Sequence, residues 1–164
     1  MNRTITVTRV TADEFRAVAE LDRLAWRDYP QGRFIPDGEH VWRHWTEDAL
    51  VFGAFRGEEL LGAVLAFPGR SGRYCLHKAF VHPDARGQGL GTRLLEALLV
   101  EVDRLGVSVY LTVNPGNAPA RELYTRRGFR EREMIPAYYG PGQDRLIMER
   151  MSSRSAPAPR EHSS

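Results

Sequence analysis

The chain has 164 residues, a formal net charge of +2, and 42% hydrophobic and 27% charged residues. This composition predicts one compact domain with its own core, and no apolar run is long enough to span a bilayer, so we expect no membrane partner. The basic residues do not align on one helical face, which disfavours a nucleic-acid partner, and the single cysteine, Cys75, favours a reducing cytoplasm.

The first half of the chain predicts a strand, two helices and three antiparallel strands in succession. Polar and apolar residues alternate over Thr4–Val10, as in a strand, and Thr11–Glu14 has the form of a helix capping box. Two strand-forming segments flank the turn at 56–59, which is typical of a hairpin. The predicted elements are a strand over Thr4–Val10, helices to about Arg27 and over Glu39–Glu47, and strands over Leu50–Phe55, Leu60–Phe67 and Cys75–Val81.

A glycine-rich stretch, Arg86–Gly91, follows the last of these strands and precedes a strongly periodic segment. Glycine lets the backbone approach an anion closely, and the first NH groups of a helix have no partners inside it. The stretch lacks the lysine of a Walker loop, and its third glycine comes one residue too early for a dinucleotide fingerprint. It therefore predicts a pyrophosphate cradle, with a strand-to-helix turn that binds nothing as the alternative.

The second half of the chain predicts a long helix, a strand, a short helix and two final strands. Leucines recur at helical spacing from Leu90 to Leu105, and Gly106 suits a left-handed helix end. Because a long helix connects them, the strand at Val107–Val113 must run parallel to the strand before the glycines. The remaining predictions are a helix from its cap Asn117 to Gly128, strands over Phe129–Ile135 and Arg145–Met151, and a disordered tail over 152–164.

The element order and three motifs resemble the GNAT acyl-CoA N-acetyltransferases. Arg86, Gly89 and Gly91 match the family's R/Q-x-x-G-x-G/A motif. Val81–Gly89 resembles a V-x-P-x-x-R-G-x-G run, and Asn117–Phe129 resembles an N-x-x-A-x-x-x-Y-x-x-x-G-F block. The resemblance implies an α/β (α+β) fold in a single domain over 1–151. Such a fold has a mixed, mostly antiparallel sheet of six to seven strands, about four helices and one splayed parallel strand pair.

The resemblance also implies acetyl-CoA as the co-substrate, without a metal. We expect the pyrophosphate on the NH groups of Gly87–Thr92 and the pantetheine arm along Ala79–Val81. There, an NH of Phe80 or Val81 polarises the thioester carbonyl. Asn117 either reaches the arm or simply caps its helix. The expected cofactor-binding residues are Ala79, Phe80, Val81, Arg86, Gly87, Gln88, Gly89, Leu90, Gly91, Thr92, Asn117 and Tyr124.

Tyr124 matches the family's general-acid tyrosine. A phenol with a pKa near ~10 is protonated at neutral pH and can give its proton to the departing CoA thiolate. The alternative is a helix tyrosine that packs against the sheet. A nucleophilic Cys75 is disfavoured, because direct transfer needs no acyl-enzyme.

The sequence does not identify a general base. Thr112 stands where several relatives have Glu or His, and a threonine hydroxyl does not accept a proton at pH 7. His77, Glu39 and Glu47 are the candidates for a proton relay through water. Deprotonating a lysine with a pKa of ~10.4 near pH 7.4 costs about 4 kcal/mol, whereas an α-amine near ~7.8 costs about 0.5 kcal/mol. A site without a strong base therefore favours a weakly basic amine.

The C-terminal part narrows the kind of acceptor. The run from Tyr138 to Met148 resembles the Y-Y…E-D-A-x-x-M ending of the protein N-terminal acetyltransferases. We expect an acceptor that is a peptide α-amine or a small-molecule amine, and a homodimer is compatible with the family. Two alternatives stay open, a longer acyl donor and a non-catalytic acyl-CoA sensor. The residues expected to contact the acceptor are Tyr29, Phe34, Tyr138 and Tyr139.

Overall fold

The computed structural model of the protein describes residues 4–27 and 35–152. The predicted acceptor contacts Tyr29 and Phe34 lie outside the described residues, as does the predicted tail from 153 onward. Ser152, with which the predicted tail begins, is buried. None of the helices within the described ranges is long and apolar enough to cross a membrane.

Within the described residues, four α-helices and seven strands form in the order that the sequence predicts, with boundaries that differ by one or two residues. The turn that opens the first helix is a 3-10 turn at Ala12–Glu14 rather than α-helix. The helices are α1 (Phe15–Trp26), α2 (Glu39–Asp48), α3 (Leu90–Leu105) and α4 (Ala118–Arg126). The strands are β1 (Ile5–Arg9), β2 (Leu50–Arg56), β3 (Glu59–Pro68), β4 (Tyr74–Val81), β5 (Val109–Val113), β6 (Arg130–Ile135) and β7 (Arg145–Arg150).

The strands form one seven-stranded sheet in the order β1-β2-β3-β4-β5-β7-β6. β1 with β2, β2 with β3, β5 with β7, and β6 with β7 pair antiparallel. β4 and β5 pair parallel, with Tyr74 opposite Val109 and Cys75 opposite Tyr110. The long crossover through α3 dictates this direction, so the predicted mixed sheet with one parallel pair is confirmed.

The described chain divides into two compact units, the first with residues up to 68 and 76–101, the second with 69–75 and from 102 onward. In the first unit, one face of α1 and the rings of Trp42 and Phe80 belong to a continuous apolar core. In the second, Val109, Phe129 and Met148 are almost completely buried. Each unit therefore has apolar side chains removed from water.

The start of α1 shows how sequence determines local structure. The Glu14 carboxylate accepts a hydrogen bond from the Thr11 backbone NH at 2.8 Å, as the capping-box pattern predicts. Val18, Leu21 and Ala25 then recur at helical spacing, and all three are buried. The last of them brings the C-terminal turn of α1 to the site described next.

Candidate functional site

The glycine stretch between β4 and α3 has backbone conformations that require glycine. Gly87 and Gly89 have φ angles of 76° and 73°. This left-handed region costs a residue with a side chain roughly 1–2 kcal/mol. The chain therefore makes its turn into α3 without any side chain covering the backbone at these two positions.

The backbone conformation does not require glycine at position 91, because Gly91 lies in the first turn of α3 without a left-handed φ. A Cβ built on Gly91 meets no atom within 4 Å, so packing does not exclude a side chain. Glycine inside a helix costs about 1 kcal/mol relative to alanine. Neither backbone conformation nor packing within this unit explains a glycine here, whereas close approach by a bound molecule would.

The amino terminus of α3 presents backbone donors beside these glycines. The Arg93 NH donates to the Gly89 carbonyl at 3.1 Å. In a regular helix, the NH groups of Leu90, Gly91 and Thr92 precede the first such bond and carry the positive end of the helix dipole. Leu90 is 2% exposed, so its side chain belongs to the core and does not contact a ligand at the surface. Gln88 is exposed.

A pocket of about 390 Å³ lies against this helix terminus. Five residues expected from the sequence to bind the cofactor line it, together with two residues of α1 that the sequence did not indicate. These two residues, Ala25 and Trp26 at the end of α1, belong to no sequence motif, and only folding brings them close to β4. The lining residues are Ala25, Trp26, Ala79, Phe80, Val81, Arg86 and Gly91.

Arg86 connects the glycine stretch to α1. Its Nη2 donates to the Ala25 carbonyl at 2.8 Å, and this carbonyl belongs to the last turn of α1. The bond satisfies a carbonyl that a helix end leaves without an internal partner, and the cation complements the negative end of that helix dipole. Arg86 thus fixes one wall of the pocket and places a positive charge beside it.

A cluster of three charged side chains, of which Asp22 and Lys78 are buried, lies on the other side of Phe80 along β4, and the sequence did not predict it. The Lys78 Nζ donates to Asp22 Oδ1 at 3.0 Å and Oδ2 at 2.9 Å, and to Asp37 Oδ2 at 2.8 Å. Asp22 is fully buried and also accepts from the Asp37 backbone NH at 2.8 Å and the Trp42 Nε1 at 3.1 Å. Every charge in this Asp22–Lys78–Asp37 cluster is paired, as burial requires.

His77 precedes Lys78 and is in contact with the same cluster. Its Nε2 lies 3.6 Å from Asp37 Oδ2, and its ring packs at 5.4 Å from Trp45 and 5.6 Å from Phe67. Burial lowers the pKa of His77 below 6.5, and the Asp37 carboxylate partly opposes this shift. The imidazole is therefore neutral at pH 7 while 36% of its side chain stays exposed.

The two other relay candidates are engaged in ion pairs. Glu39 lies 2.7 Å from Arg23, and Glu47 lies 2.8 Å from Arg43. The pKa of Glu39 is lowered by a hydrogen bond from its own backbone NH and by one from Arg23. A lowered pKa makes a carboxylate a weaker base, so Glu39 is less suited to accept a proton than its sequence position indicates.

In the second unit, Tyr124 and Asn117 lie on or next to α4. The Tyr124 ring packs edge-on against Phe129 at 5.5 Å, and burial raises the pKa of its phenol above 10. The Asn117 Oδ1 accepts from the Ala120 NH at 3.2 Å, so it caps the helix. A contact between either residue and the cofactor stays a prediction.

Thr112 is hydrogen-bonded to Tyr139, one of the predicted acceptor contacts. Its Oγ1 lies 3.0 Å from the Tyr139 hydroxyl, and the Arg145 guanidinium lies 5.1 Å from the centre of the Tyr139 ring. Tyr138 packs edge-on against Tyr139 at 4.7 Å. Both tyrosines are exposed, at 39% for Tyr138 and 55% for Tyr139, so their rings are accessible to another molecule.

Cys75 is not activated as a nucleophile. Burial raises the pKa of its thiol, although a hydrogen bond with Tyr110 opposes the shift. The thiol is therefore protonated at neutral pH.

Comparisons with known proteins identify a family and several relatives of the chain. Residues 18–129 match the Acetyltransferase (GNAT) family. The ribosomal protein bS18-alanine N-acetyltransferase of Escherichia coli is 30% identical to this chain over 130 residues, which cover 73% of this chain and 86% of that protein. An N-acetyltransferase of Methanocaldococcus jannaschii is 37% identical over 70 residues, which cover 42% of this chain and 45% of that protein.

Two solved structures share the fold. The crystal structure of the ribosomal-protein-S18-alanine N-acetyltransferase from Escherichia coli has a TM-score of 0.76 and 24% identity, and covers 94% of this chain and 97% of its own. The acetyltransferase yncA from Salmonella typhimurium, solved with acetyl-CoA, has a TM-score of 0.72 and 19% identity, and covers 94% of this chain and 98% of its own.

Proposed function

The chain belongs to the Acetyltransferase (GNAT) family and is an N-acetyltransferase, and we propose that it transfers the acetyl group of acetyl-CoA directly to a primary amine. Family membership confirms the resemblance that the motifs indicated. The pocket lined by Ala79–Val81, Arg86 and Gly91 carries the proposal. It joins an apolar wall to helix donors for an anion, which is the combination that a pantetheine arm and its pyrophosphate require.

Gly91 supports the assignment of the donor. A Cβ there would meet only open space, so the missing side chain leaves the helix backbone accessible to a large anion. We place the pyrophosphate on the NH groups of Gly87–Thr92 and the thioester carbonyl near the NH groups of Phe80 and Val81. Donors fixed before the reaction stabilise the oxyanion without reorganisation.

We further propose Tyr124 as the general acid. The amine lone pair attacks the thioester carbon, the C–S bond breaks, and the sulfur leaves with the electron pair and takes the phenolic proton. The amine nitrogen gives up one proton to solvent as the amide forms, which balances the proton that Tyr124 loses. Because burial raises the Tyr124 pKa, the phenol carries its proton throughout the neutral range. A proton donor beside the leaving group helps most when that group departs as an anion.

For the acceptor, we propose an α-amine. We also propose that residues 1–151 act as one catalytic domain in the cytoplasm. The alanine N-acetyltransferase relative supports this class by its name and by its match over 130 residues. The Thr112 hydroxyl is not a strong base, and deprotonating an α-amine near pH 7.4 costs only about 0.5 kcal/mol. The exposed Tyr138 and Tyr139 provide aromatic surface that suits the first residues of a peptide, with Tyr29 and Phe34 as the further proposed contacts.

A thiol-release screen tests the proposal. Acetyl-CoA is mixed with the protein and with short peptides bearing free N-termini, small amines, polyamines or aminoglycosides, and free CoA is measured. We expect release with peptides. Tyr124→Phe should lower kcat about 10²-fold or more and leave the acetyl-CoA Kd unchanged, whereas Tyr110→Phe in the same unit is the matched control. Tight acetyl-CoA binding without release by any amine would instead identify a sensor.

A further inference from the structure

Arg73 lies on one face of the sheet in the second unit, over an aromatic ring. Tyr110 and Glu149 are directly opposite each other in the pairing of β5 with β7, so their side chains share a face. The Arg73 guanidinium lies over the Tyr110 ring, 4.3 Å from its centre. A guanidinium in contact with a ring uses one flat side for that contact, and its NH groups, which point outward in its plane, can still bind a planar anion.

Glu149 holds a second arginine next to Arg73. Its Oε2 lies 3.8 Å from Arg73 Nη1 and 3.6 Å from Arg132 Nε. Both distances are longer than the charge-assisted hydrogen bonds of about 2.7–2.9 Å, so the carboxylate attracts both cations without taking up these donors. The Glu149 side chain is 17% exposed, whereas those of Arg73 and Arg132 are 41% and 49% exposed. Two guanidinium groups therefore reach the surface next to one mostly buried carboxylate.

The strands around this pair of arginines add positive charge to the same face. In the pairing of β6 with β7, Arg130 is opposite Glu149 and Glu133 is opposite Ile147. Side chains alternate along β7, so Arg145 lies on this face as well. The face thus has four arginines against two glutamates, which gives it a net charge of +2. Such a face attracts anions.

The same face has the proposed acceptor contacts. Thr112, which bonds to the Tyr139 hydroxyl, is two residues from Tyr110 on β5, a distance of roughly 7 Å. Burial raises the pKa of the Tyr138 phenol and the Arg73 charge opposes this shift, so Arg73 lies within electrostatic range of that phenol. An extended peptide whose first residue contacts the tyrosines would reach Arg73 after about two further residues.

We propose that Arg73 and Arg132 bind the carboxylate of an acidic side chain near the N-terminus of the acceptor peptide. The inference rests on the proposed function and narrows its substrate class to peptides with Asp or Glu among the residues that follow the reacting α-amine. The two guanidinium groups donate in-plane hydrogen bonds to that carboxylate, and Glu149 keeps them next to each other. A lysine does not replace either arginine fully, because an ammonium group lacks the planar fork.

The test uses pairs of peptides that begin with a free alanine and differ only by Glu against Gln at one of the second to fifth positions. CoA release gives kcat and KM for each peptide. At the best position we expect the wild type to have a KM about 10-fold lower for Glu than for Gln, with a similar kcat, because the contact is equally strong before and during the reaction. The preference should weaken as salt is added, since both arginines are partly exposed.

Arginine variants test whether this pair causes the preference. Arg73→Gln and Arg132→Gln should each reduce the preference about threefold, the double variant should abolish it, and Arg73→Lys should retain only part of it. Arg70→Gln is the matched control, because Arg70 is an exposed arginine in the turn before Arg73 and its substitution changes the net charge equally. This control should keep the full preference.

The outcomes separate the inference from the proposed function. Equal KM values for Glu and Gln peptides at every position, in a wild type that releases CoA, would overturn the inference and leave the proposed function standing. A preference that persists in the double variant, or that Arg70→Gln removes equally, would also overturn it. Acetylation of free glutamate in preference to every peptide would overturn it as well, because the carboxylate would then not come from a peptide. No CoA release by the wild type with any amine would overturn both.

Discussion

The glycine cradle and the Asp22–Lys78–Asp37 cluster both contact β4 or its continuation, but they are built in opposite ways. The cradle is the continuous stretch Arg86–Gly91, which presents backbone NH groups and leaves space above Gly91. The cluster joins side chains that are 56 and 41 residues apart in the chain, and its polar atoms are paired with one another. The first feature leaves space beside its backbone donors, whereas the polar groups of the second are already paired.

This difference predicts opposite responses to substitution. Open donors and a glycine in a helix contribute little to the free energy of unfolding, so changes in the cradle should act chiefly on binding. Buried charges depend completely on their partners, so changes in the cluster should act chiefly on stability. A cradle variant that mainly loses stability, or a cluster variant that mainly loses acetyl-CoA binding, would contradict this distinction.

The largest effect on stability should come from Lys78→Met. It leaves the fully buried Asp22 carboxylate with only neutral donors, from Asp37 and Trp42. Losing one partner of a buried ion pair costs about 3–5 kcal/mol. Urea unfolding measures the loss. The double variant Asp22→Asn with Lys78→Met should recover part of it, because no uncompensated charge then remains.

Arg43→Met is the matched control for that experiment. Arg43 also pairs with a carboxylate, Glu47 at 2.8 Å, but its side chain is 43% exposed. An exposed i,i+4 pair contributes well under about 1 kcal/mol. Equal losses from Lys78→Met and Arg43→Met would contradict the assignment of the cluster as a buried, mutually dependent set.

Gly89→Val should produce the largest effect on binding. A β-branched residue at φ 73° is strained, and its side chain would cover the backbone donors. We expect the acetyl-CoA Kd to rise about 100-fold or more, with a loss of about 2 kcal/mol in stability. Isothermal titration calorimetry measures the affinity, and normal affinity in a folded variant would refute the cradle.

Gly91→Ala separates binding from stability more cleanly. The backbone there is helical and a Cβ meets nothing, so alanine should raise the melting temperature through a gain of up to about 1 kcal/mol. The added methyl group should nevertheless raise the acetyl-CoA Kd about 10-fold by keeping the anion from the helix terminus. Gly38→Ala, at another open glycine before a helix, should leave the Kd unchanged. Unchanged affinity in Gly91→Ala would mean that the anion does not approach this turn.

The sequence predicted the secondary-structure elements and the glycine-rich turn because both depend on short-range patterns. The capping box at Thr11–Glu14, the helical leucines of α3 and the glycines at 87 and 89 each fix a local conformation. The parallel direction of β5 followed from the length of the crossover alone. Such features need no knowledge of which distant side chains meet.

The cluster and the pocket wall were not predicted because they depend on distant contacts. In the sequence, Asp22 is a polar position on an amphipathic helix and Lys78 interrupts an apolar strand, and nothing pairs them. Lys78 at the centre of a strand-forming run was the one available signal, since a charge on a buried strand requires a partner. Thr112 and Tyr139 likewise meet only through pairing of β5 with β7 and the loop before it.

The smallest effect tests how far burial, rather than pairing alone, distinguishes the cluster. Asp103 makes two hydrogen bonds with the Arg150 guanidinium, at 2.8 and 2.9 Å, but its side chain is 32% exposed. These bonds lower the Asp103 pKa, with burial opposing the shift. A lowered folded-state pKa stabilises the protein fully above about pH 4, and this contribution disappears as the pH falls through the folded value.

Asp103→Asn should therefore cost about 1 kcal/mol at pH 7 in urea unfolding, because water screens the pair, and the difference from wild type should shrink below pH 3.8. Asp48→Asn, an exposed residue at the end of α2, serves as the control and should show no such pH-dependent difference. A cost at pH 7 equal to that of Lys78→Met would mean that pairing geometry, and not exclusion of water, gives the Asp22–Lys78–Asp37 cluster its importance.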